Sequence, residues 1–151
     1  MGASSIVYER PVVQMWGTVD ALLSLLLPRR LGAATGQDWR LRKLQEFIDT
    51  HPGKVRWNLD DVCKELGLAM SGRQARRLFM ASTGIGIREY AKKRRLASAA
   101  EQLQATNAPV KAIAADAGYQ STCHFARSFK ELFRLSPMEF RRIWRRKVWV
   151  A

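Results

Sequence analysis

An all-α fold, with two helix-turn-helix subdomains joined by one long linker helix behind a short N-terminal extension, is what this sequence predicts. Three observations carry that reading. From residue 38 onward, apolar residues recur at three- and four-residue steps in segments separated by Gly, Pro, Ser and Asn. A weak internal repeat sets Val62…Gly67…Ser71…Leu78-Phe79 beside Ile113…Gly118…Ser121…Ser128-Phe129. Between the two copies lies a long stretch, about Ile87 to Ala105, with no helix breaker inside it.

Each element has its local reasons. Met1 to Pro11 reads as an extended lead. Val12 to Leu27 is apolar and mostly helical in pattern, with an interruption at Gly17. PRRLGAATGQ, residues 28–37, reads as a linker, so the chain divides into an extension of residues 1–37 and a domain of residues 38–151. Asp38 is a natural N-cap for a helix from Trp39 to about Thr50, with Leu41, Leu44, Phe47 and Ile48 on one face. His51-Pro52-Gly53 stops it. Asn58 or Asp60 starts the next helix, which turns Leu59, Val62, Cys63 and Leu66 inward and ends at Gly67. Ser71 caps a helix to about Ser82, with Ala75, Leu78 and Phe79 inward, and Gly84 and Gly86 break it. The linker helix buries Tyr90, Leu96, Ala99, Ala100 and Leu103 and ends at Asn107-Ala108-Pro109. Val110 opens the second unit, and a last helix follows Pro137 through Arg141, Trp144 and Arg145.

Charge narrows the partner class. The formal net charge is +13 in 151 residues. In residues 1–38, Arg10, Arg29 and Arg30 balance Glu9, Asp20 and Asp38, so the whole excess lies in residues 39–151. A domain this basic attracts a polyanion, and nucleic acid is the usual one. The two cysteines, Cys63 and Cys123, belong to no CxxC or Cys/His cluster, so neither a zinc site nor a disulfide framework is expected. The apolar run Ala21 to Leu27 is too short for a membrane span and sits between Asp20 and Pro28, so a cytoplasmic location without a membrane partner is expected.

The stretch IAADAGYQSTCHFARSFKELFRLSPMEFR, from Ile113, is the most informative part. It reads as helix, tight turn at Gly118-Tyr119, second helix, and a Ser136-Pro137 start of a third. On its second helix Phe125, Phe129, Leu132 and Phe133 make one buried face, while Thr122, Cys123, Ala126 and Arg127 lie on the other. A helix with one small or polar face left open can lie in a DNA groove. Two such units on one stiff rod suit a duplex whose major groove returns every ~34 Å.

These residues resemble the AraC/XylS family of bacterial transcription regulators. The likeness covers about Leu41 to Arg142. The family's second-unit pattern IAxxxGYxSxxxFxRxFKxxFxxSPxxFR is present as Ile113-Ala114, Gly118-Tyr119, Ser121, Phe125, Arg127, Phe129-Lys130, Phe133, Ser136-Pro137 and Phe140-Arg141. In the first half, Arg77-Leu78-Phe79, Thr83-Gly84, Glu89-Tyr90, Arg94-Arg95-Leu96 and Ala99 match RLFxxxTGxxxxxYxxxxRLxxA. Two departures stand out. The turn Gly67 to Ser71 is two residues longer than the family's usual form, which bears on the tilt of the first reading helix. Arg134 stands where the family commonly has glycine, so a positive φ there would be strained. With so few residues ahead of the domain, the chain is similar to small stand-alone members. The resemblance implies monomeric binding to an asymmetric site on double-stranded DNA and contact with RNA polymerase; no cofactor is expected.

The same resemblance points to contact residues. On the first reading helix, Arg73, Arg76 and Arg77 project together, with Gln74 at the edge and Ser71 at the cap. Arg offers a bidentate fork to guanine, and Gln to adenine. Each of the three arginines has phosphate as its alternative partner, and Arg77 has a third: Asp61 or Glu65 within the fold. On the second reading helix the facing positions are Thr122, Cys123, Ala126 and Arg127, with Gln120 and Ser121 at its start and His124 as a packed or phosphate-touching residue. Weak hydrogen-bonders dominate there, so fit against a thymine methyl is expected to count for more than polar bonds. Arg127 is equally readable as structural. Lys92, Lys93, Arg94 and Arg95 form a basic run whose default is a solvated face, with phosphate contact by one or two of them as the alternative. The tail from Arg141 to Lys147, with Trp144 and Trp149, reads as a phosphate clamp, a polymerase-facing surface or, last, a membrane-surface helix.

Rival classes are weaker. Catalysis has no Ser/His/Asp set, no paired carboxylates and no phosphate-cradling glycine loop to rest on, and a reactive-cysteine repair enzyme would need more than Cys63 or Cys123 supplies. A nonspecific architectural binder would need the charge but not two tuned reading helices. Residues 12–27 could pack on the domain, pair two chains as a homodimer, or be the remnant of a sensor, the packing role being favoured.

Overall fold

A computed structural model describes residues 38–51 and 58–148, with side chains described as far as Arg145. The extension, the linker and Trp149 lie outside the described residues, as do Pro52 and Gly53. Seven helices are present and no strand among the described residues. They are α1 (Trp39–Thr50), α2 (Leu59–Glu65), α3 (Gly72–Thr83), α4 (Ile87–Ala105), α5 (Val110–Asp116), α6 (Thr122–Phe133) and α7 (Pro137–Val148). The architecture is two helix-turn-helix units, α2–α3 and α5–α6, on the linker helix α4.

Local chemistry sets most of the boundaries. Asp38, Asn58, Ser71 and Ser121 each accept a hydrogen bond from a backbone N–H of the turn they open. Asn58, not Asp60, takes the cap of α2. At α3 the cap is reciprocal, because Ser71 Oγ accepts from Gln74 N–H while Gln74 Oε1 accepts from Ser71 N–H. Two helices end in the left-handed conformation, α3 at Gly84 with φ 76° and α6 at Arg134 with φ 60°. Arg134 therefore sits in the backbone region anticipated from the usual glycine. Ala69 is also left-handed, at φ 47°. That residue takes up the added length of the Gly67–Ser71 turn, which runs from the C-cap Leu66 to the N-cap Ser71, whereas its counterpart runs from Ala117 to Ser121.

Two separate apolar cores lie along α4. The first gathers Leu41, Leu44, Phe47 and Ile48 of α1, Leu59, Val62 and Cys63 of α2, Leu68, Ala75 and Phe79, and closes on Ile87 and Tyr90 of α4. The second begins at Leu96 and takes Ala97, Ala99, Ala100 and Leu103 of α4, Ile113 and Ala114 of α5, the α6 phenylalanines, Leu135, Phe140 and Trp144. Phe125, Phe129, Phe133, Phe140 and Trp144 form a chain of ring contacts with centroids 4.4–5.6 Å apart. Such pairs add ~0.5–1.5 kcal/mol each beyond the area they bury.

Polar contacts bind the outer helices to α4. Tyr90 is 1% exposed, and its hydroxyl donates to Asp49 Oδ1 at 2.7 Å and accepts from Gln45 Nε2 at 3.0 Å. Arg94 Nε lies 2.8 Å from the same Asp49 oxygen. At the far end, Arg141 donates to the Ala108 carbonyl at 2.5 Å and Arg145 to Asn107, which fastens α7 over the α4–α5 loop.

Candidate nucleic-acid interface

The first reading helix is α3. Its buried residues are Gly72, Ala75 and Phe79, and opposite them Arg73, Arg76 and Arg77 are exposed. At the helical step of 100° per residue these three arginines fall within one third of a turn. They form a single cationic face as expected, and Met80, 51% exposed, continues it. Gln74 is exposed at the edge, with its side-chain carbonyl oxygen engaged by the cap. Ser71 is exposed but likewise occupied by the cap.

One of the alternatives open for Arg77 finds no support on this helix. Arg77, Asp61 and Glu65 are all exposed, and among the described residues the ion pairs run elsewhere, none of them joining Arg77 to Asp61 or Glu65. A long cation left in solvent on this face is available to a duplex.

The second reading helix is α6. Phe125, Phe129 and Phe133 are buried, while Gln120, Ser121, Cys123, His124, Arg127 and Lys130 are exposed. Ala126 is partly buried at the border between the two faces, whereas Thr122, expected on the open face, is partly buried on the phenylalanine side, three and seven residues before Phe125 and Phe129. Cys123, Arg127 and Lys130 occupy neighbouring positions of the open face, and Lys130 is a cation the sequence reading passed over. Its three- and seven-residue spacing from Arg127 and Cys123 was the available signal. Ser121 caps weakly, with His124 N–H 3.5 Å from its Oγ.

The basic run on α4 is not a free solvated face. Lys92 pairs with Glu131 of α6 at 3.6 Å, and Arg94 with Asp49 of α1 at 2.8 Å. The Arg95 guanidinium lies 5.8 Å from the ring centroid of Tyr119, in the turn of the second unit. Burial pulls the Arg95 pKa below the usual guanidinium value, with the nearby Tyr119 acting the other way. The Lys92 pair is exposed enough that it contributes little energy. Its value here is geometric, since with the other two contacts it ties the linker to α1 and to the second unit. The tail is corrected too. Trp144 is 3% exposed in the second core, and Arg141 and Arg145 hold the α4–α5 loop, so these three belong to the fold.

The two cysteines differ sharply. Cys63 is 1% exposed in the first core, and burial pushes its thiol pKa up, aided by the charge of Asp60. Cys123 is exposed at the start of α6. Among the described residues no cluster of His, Cys, Asp and Glu could hold a metal ion, and no helix is long and apolar enough to cross a membrane.

Comparison with known proteins adds a second line of support. The profile of a family described as a helix-turn-helix domain matches residues 63–143. The chain is 36% identical over 101 residues to the regulatory protein SoxS of Salmonella typhimurium, covering 67% of this chain and 92% of that one. It is 29% identical over 147 residues to the HTH-type transcriptional regulator MtrA of Neisseria gonorrhoeae, covering 89% of this chain but 48% of MtrA, so the chain spans about half the length of that relative. Among solved structures, the C-terminal domain of AraT, a response regulator from Geobacillus stearothermophilus, superposes with a TM-score of 0.63 at 27% identity. That match covers 72% of this chain and 88% of that domain. An AraC-type transcriptional regulator from Chromobacterium violaceum gives 0.64 at 23% identity over 74% of this chain and 95% of that one, a likeness of fold.

Proposed function

Because this chain belongs to the AraC/XylS family of helix-turn-helix transcription regulators, we propose that it selects one asymmetric stretch of double-stranded DNA, laying α3 and α6 in successive segments of the major groove, and activates transcription from it. The observation that supports this most is the pairing of two solvent-facing reading helices with a linker that packs into both units. A helix of 19 residues is about 28 Å long, comparable with the ~34 Å groove repeat. Arg73, Arg76 and Arg77 on α3 supply forks for guanine edges and phosphates. On α6, Cys123, Ala126 and Thr122 supply shape, and Arg127 supplies charge, with Gln120 and Ser121 at the strand edge. In this reading the protein works in the cytoplasm, unassisted by a cofactor or by catalysis, and hands the promoter to RNA polymerase.

Selection of bound duplexes from a random-sequence pool tests it. The expected winner is one asymmetric site of about two helical turns. Arg76→Ala is expected to cost ~1–3 kcal/mol at one base pair and relax selection there, whereas a uniform loss across sequences would make Arg76 a phosphate contact. Equal affinity for all duplexes would overturn the reading. Sedimentation of the full chain against a chain beginning at Gln37 tests pairing through residues 12–27.

A further inference from the structure

We propose that Asp60 is a positioning residue for sequence reading: its carboxylate pins the first turn of α3 against α2 and so sets which base edges Arg73, Arg76 and Arg77 reach. This deepens the DNA-reading function and rests on it.

The Gly72 N–H donates to Asp60 Oδ1 at 2.7 Å, across twelve residues of chain. The length is that of a charge-assisted bond. The two helices touch at this point. A Cβ on Gly72 would stand 3.1 Å from Asp60 N, from Asp60 Oδ2 and from Leu59 Cβ. The start of α3 is thus held by a bond on one side and by backbone contact around it.

Apolar packing alone holds α3 less firmly than α6. The buried residues of α3 are Gly72, Ala75 and Phe79, with one large side chain among them, whereas α6 buries three phenylalanines. The turn before α3 is longer and carries the left-handed Ala69. Rotation of α3 about its axis is therefore less constrained by apolar packing than that of α6, and the Asp60 bond is a polar contact that limits it. Bidentate recognition tolerates errors of only about 10–20° in side-chain direction. The second unit has no such latch: Lys111 occupies the place of Asp60 in α5, and Thr122 that of Gly72. The device is private to the half of the site that α3 reads.

The test compares the full chain with Asp60→Ala and Asp60→Asn by selection from a random-sequence duplex pool. Arg76→Ala identifies the bases that α3 reads. Asp60→Ala is expected to lose preference about tenfold at those bases, the worth of one bidentate contact, while the α6 bases stay selected. Asp60→Asn keeps an oxygen for the Gly72 N–H and is expected to restore the original profile. A loss spread equally over both halves, or a D60A profile unchanged in both, overturns the proposal. Should D60A lose its helical circular dichroism, Gly72→Ala carries the test. Relaxation of the α3 half alone then supports the proposal, and an unchanged profile overturns it. If the unaltered chain selects no sequence, the DNA-reading function itself fails before any variant is compared, and the positioning role falls with it.

Discussion

Tyr90→Phe should cost the protein about 2 kcal/mol, and the cost should shrink in alkali. The hydroxyl sits in a closed site, with Tyr90 1% and Gln45 3% exposed. Its loss deletes a bond to the Asp49 carboxylate at 2.7 Å and one from Gln45 at 3.0 Å. A bond to a charged group contributes about 1.5–3 kcal/mol. Two features hold the figure near the middle of that range. Arg94 stays 2.8 Å from Asp49, and the ring keeps its edge contact with Phe79 at 5.4 Å. For a chain of this size that is a fall in Tm of roughly 4–8 °C. The pH dependence follows from the phenol. Burial first, then the bond and charge of Asp49, push its pKa well above the usual value of about 10. Above that pH the unfolded chain loses the proton while the folded one keeps it. The stabilisation is therefore complete below pH 10 and declines by about 1.4 kcal/mol per pH unit above it. Cys63 adds a similar loss in alkali, but it is present in both proteins and cancels in the comparison. Melts followed by far-UV circular dichroism at pH 7 and pH 10.5 measure both effects. A Tm within 2 °C of the parent at pH 7, or an equal gap at both pH values, would refute the reasoning.

Further outcomes are expected elsewhere. Ala69→Gly should raise stability by up to about 1 kcal/mol, because the left-handed conformation at φ 47° costs a Cβ residue ~1–2 kcal/mol and glycine gives back ~0.5–1 through the unfolded chain. A denaturant midpoint at or below the parent's would show that Ala69 is unstrained. Thiol alkylation in native buffer should label Cys123 and spare Cys63, with the second label appearing only on unfolding. Equal labelling rates, read by peptide mass, would contradict the burial of Cys63.

The helices were legible because their signals are local. Asp38, Ser71 and Ser121 cap within three residues of themselves, and the apolar steps through Leu41, Leu44, Phe47 and Ile48, or through Phe125, Phe129 and Phe133, need only the helical period. The arginine face of α3 follows from the same period. The destinations of long side chains were not legible. Arg94 finds Asp49, Arg95 finds Tyr119, and Arg141 finds Ala108 only after α1, α5 and α7 have packed on α4. A run of four basic residues carries no mark of which neighbour will fold beside it. The Asp60–Gly72 bond was hidden for the same reason, although the repeat, by setting Lys111 and Thr122 at the matching places, marked the two units as unequal there.

The division of the linker's anchors has an evolutionary corollary. Ile87 and Tyr90 serve one core, and Leu96 through Leu103 serve the other. Lesions in one compartment should leave its neighbour's packing intact. Each module's core can then drift without dragging the other along. Such a molecule can acquire a new half-address while keeping the old one.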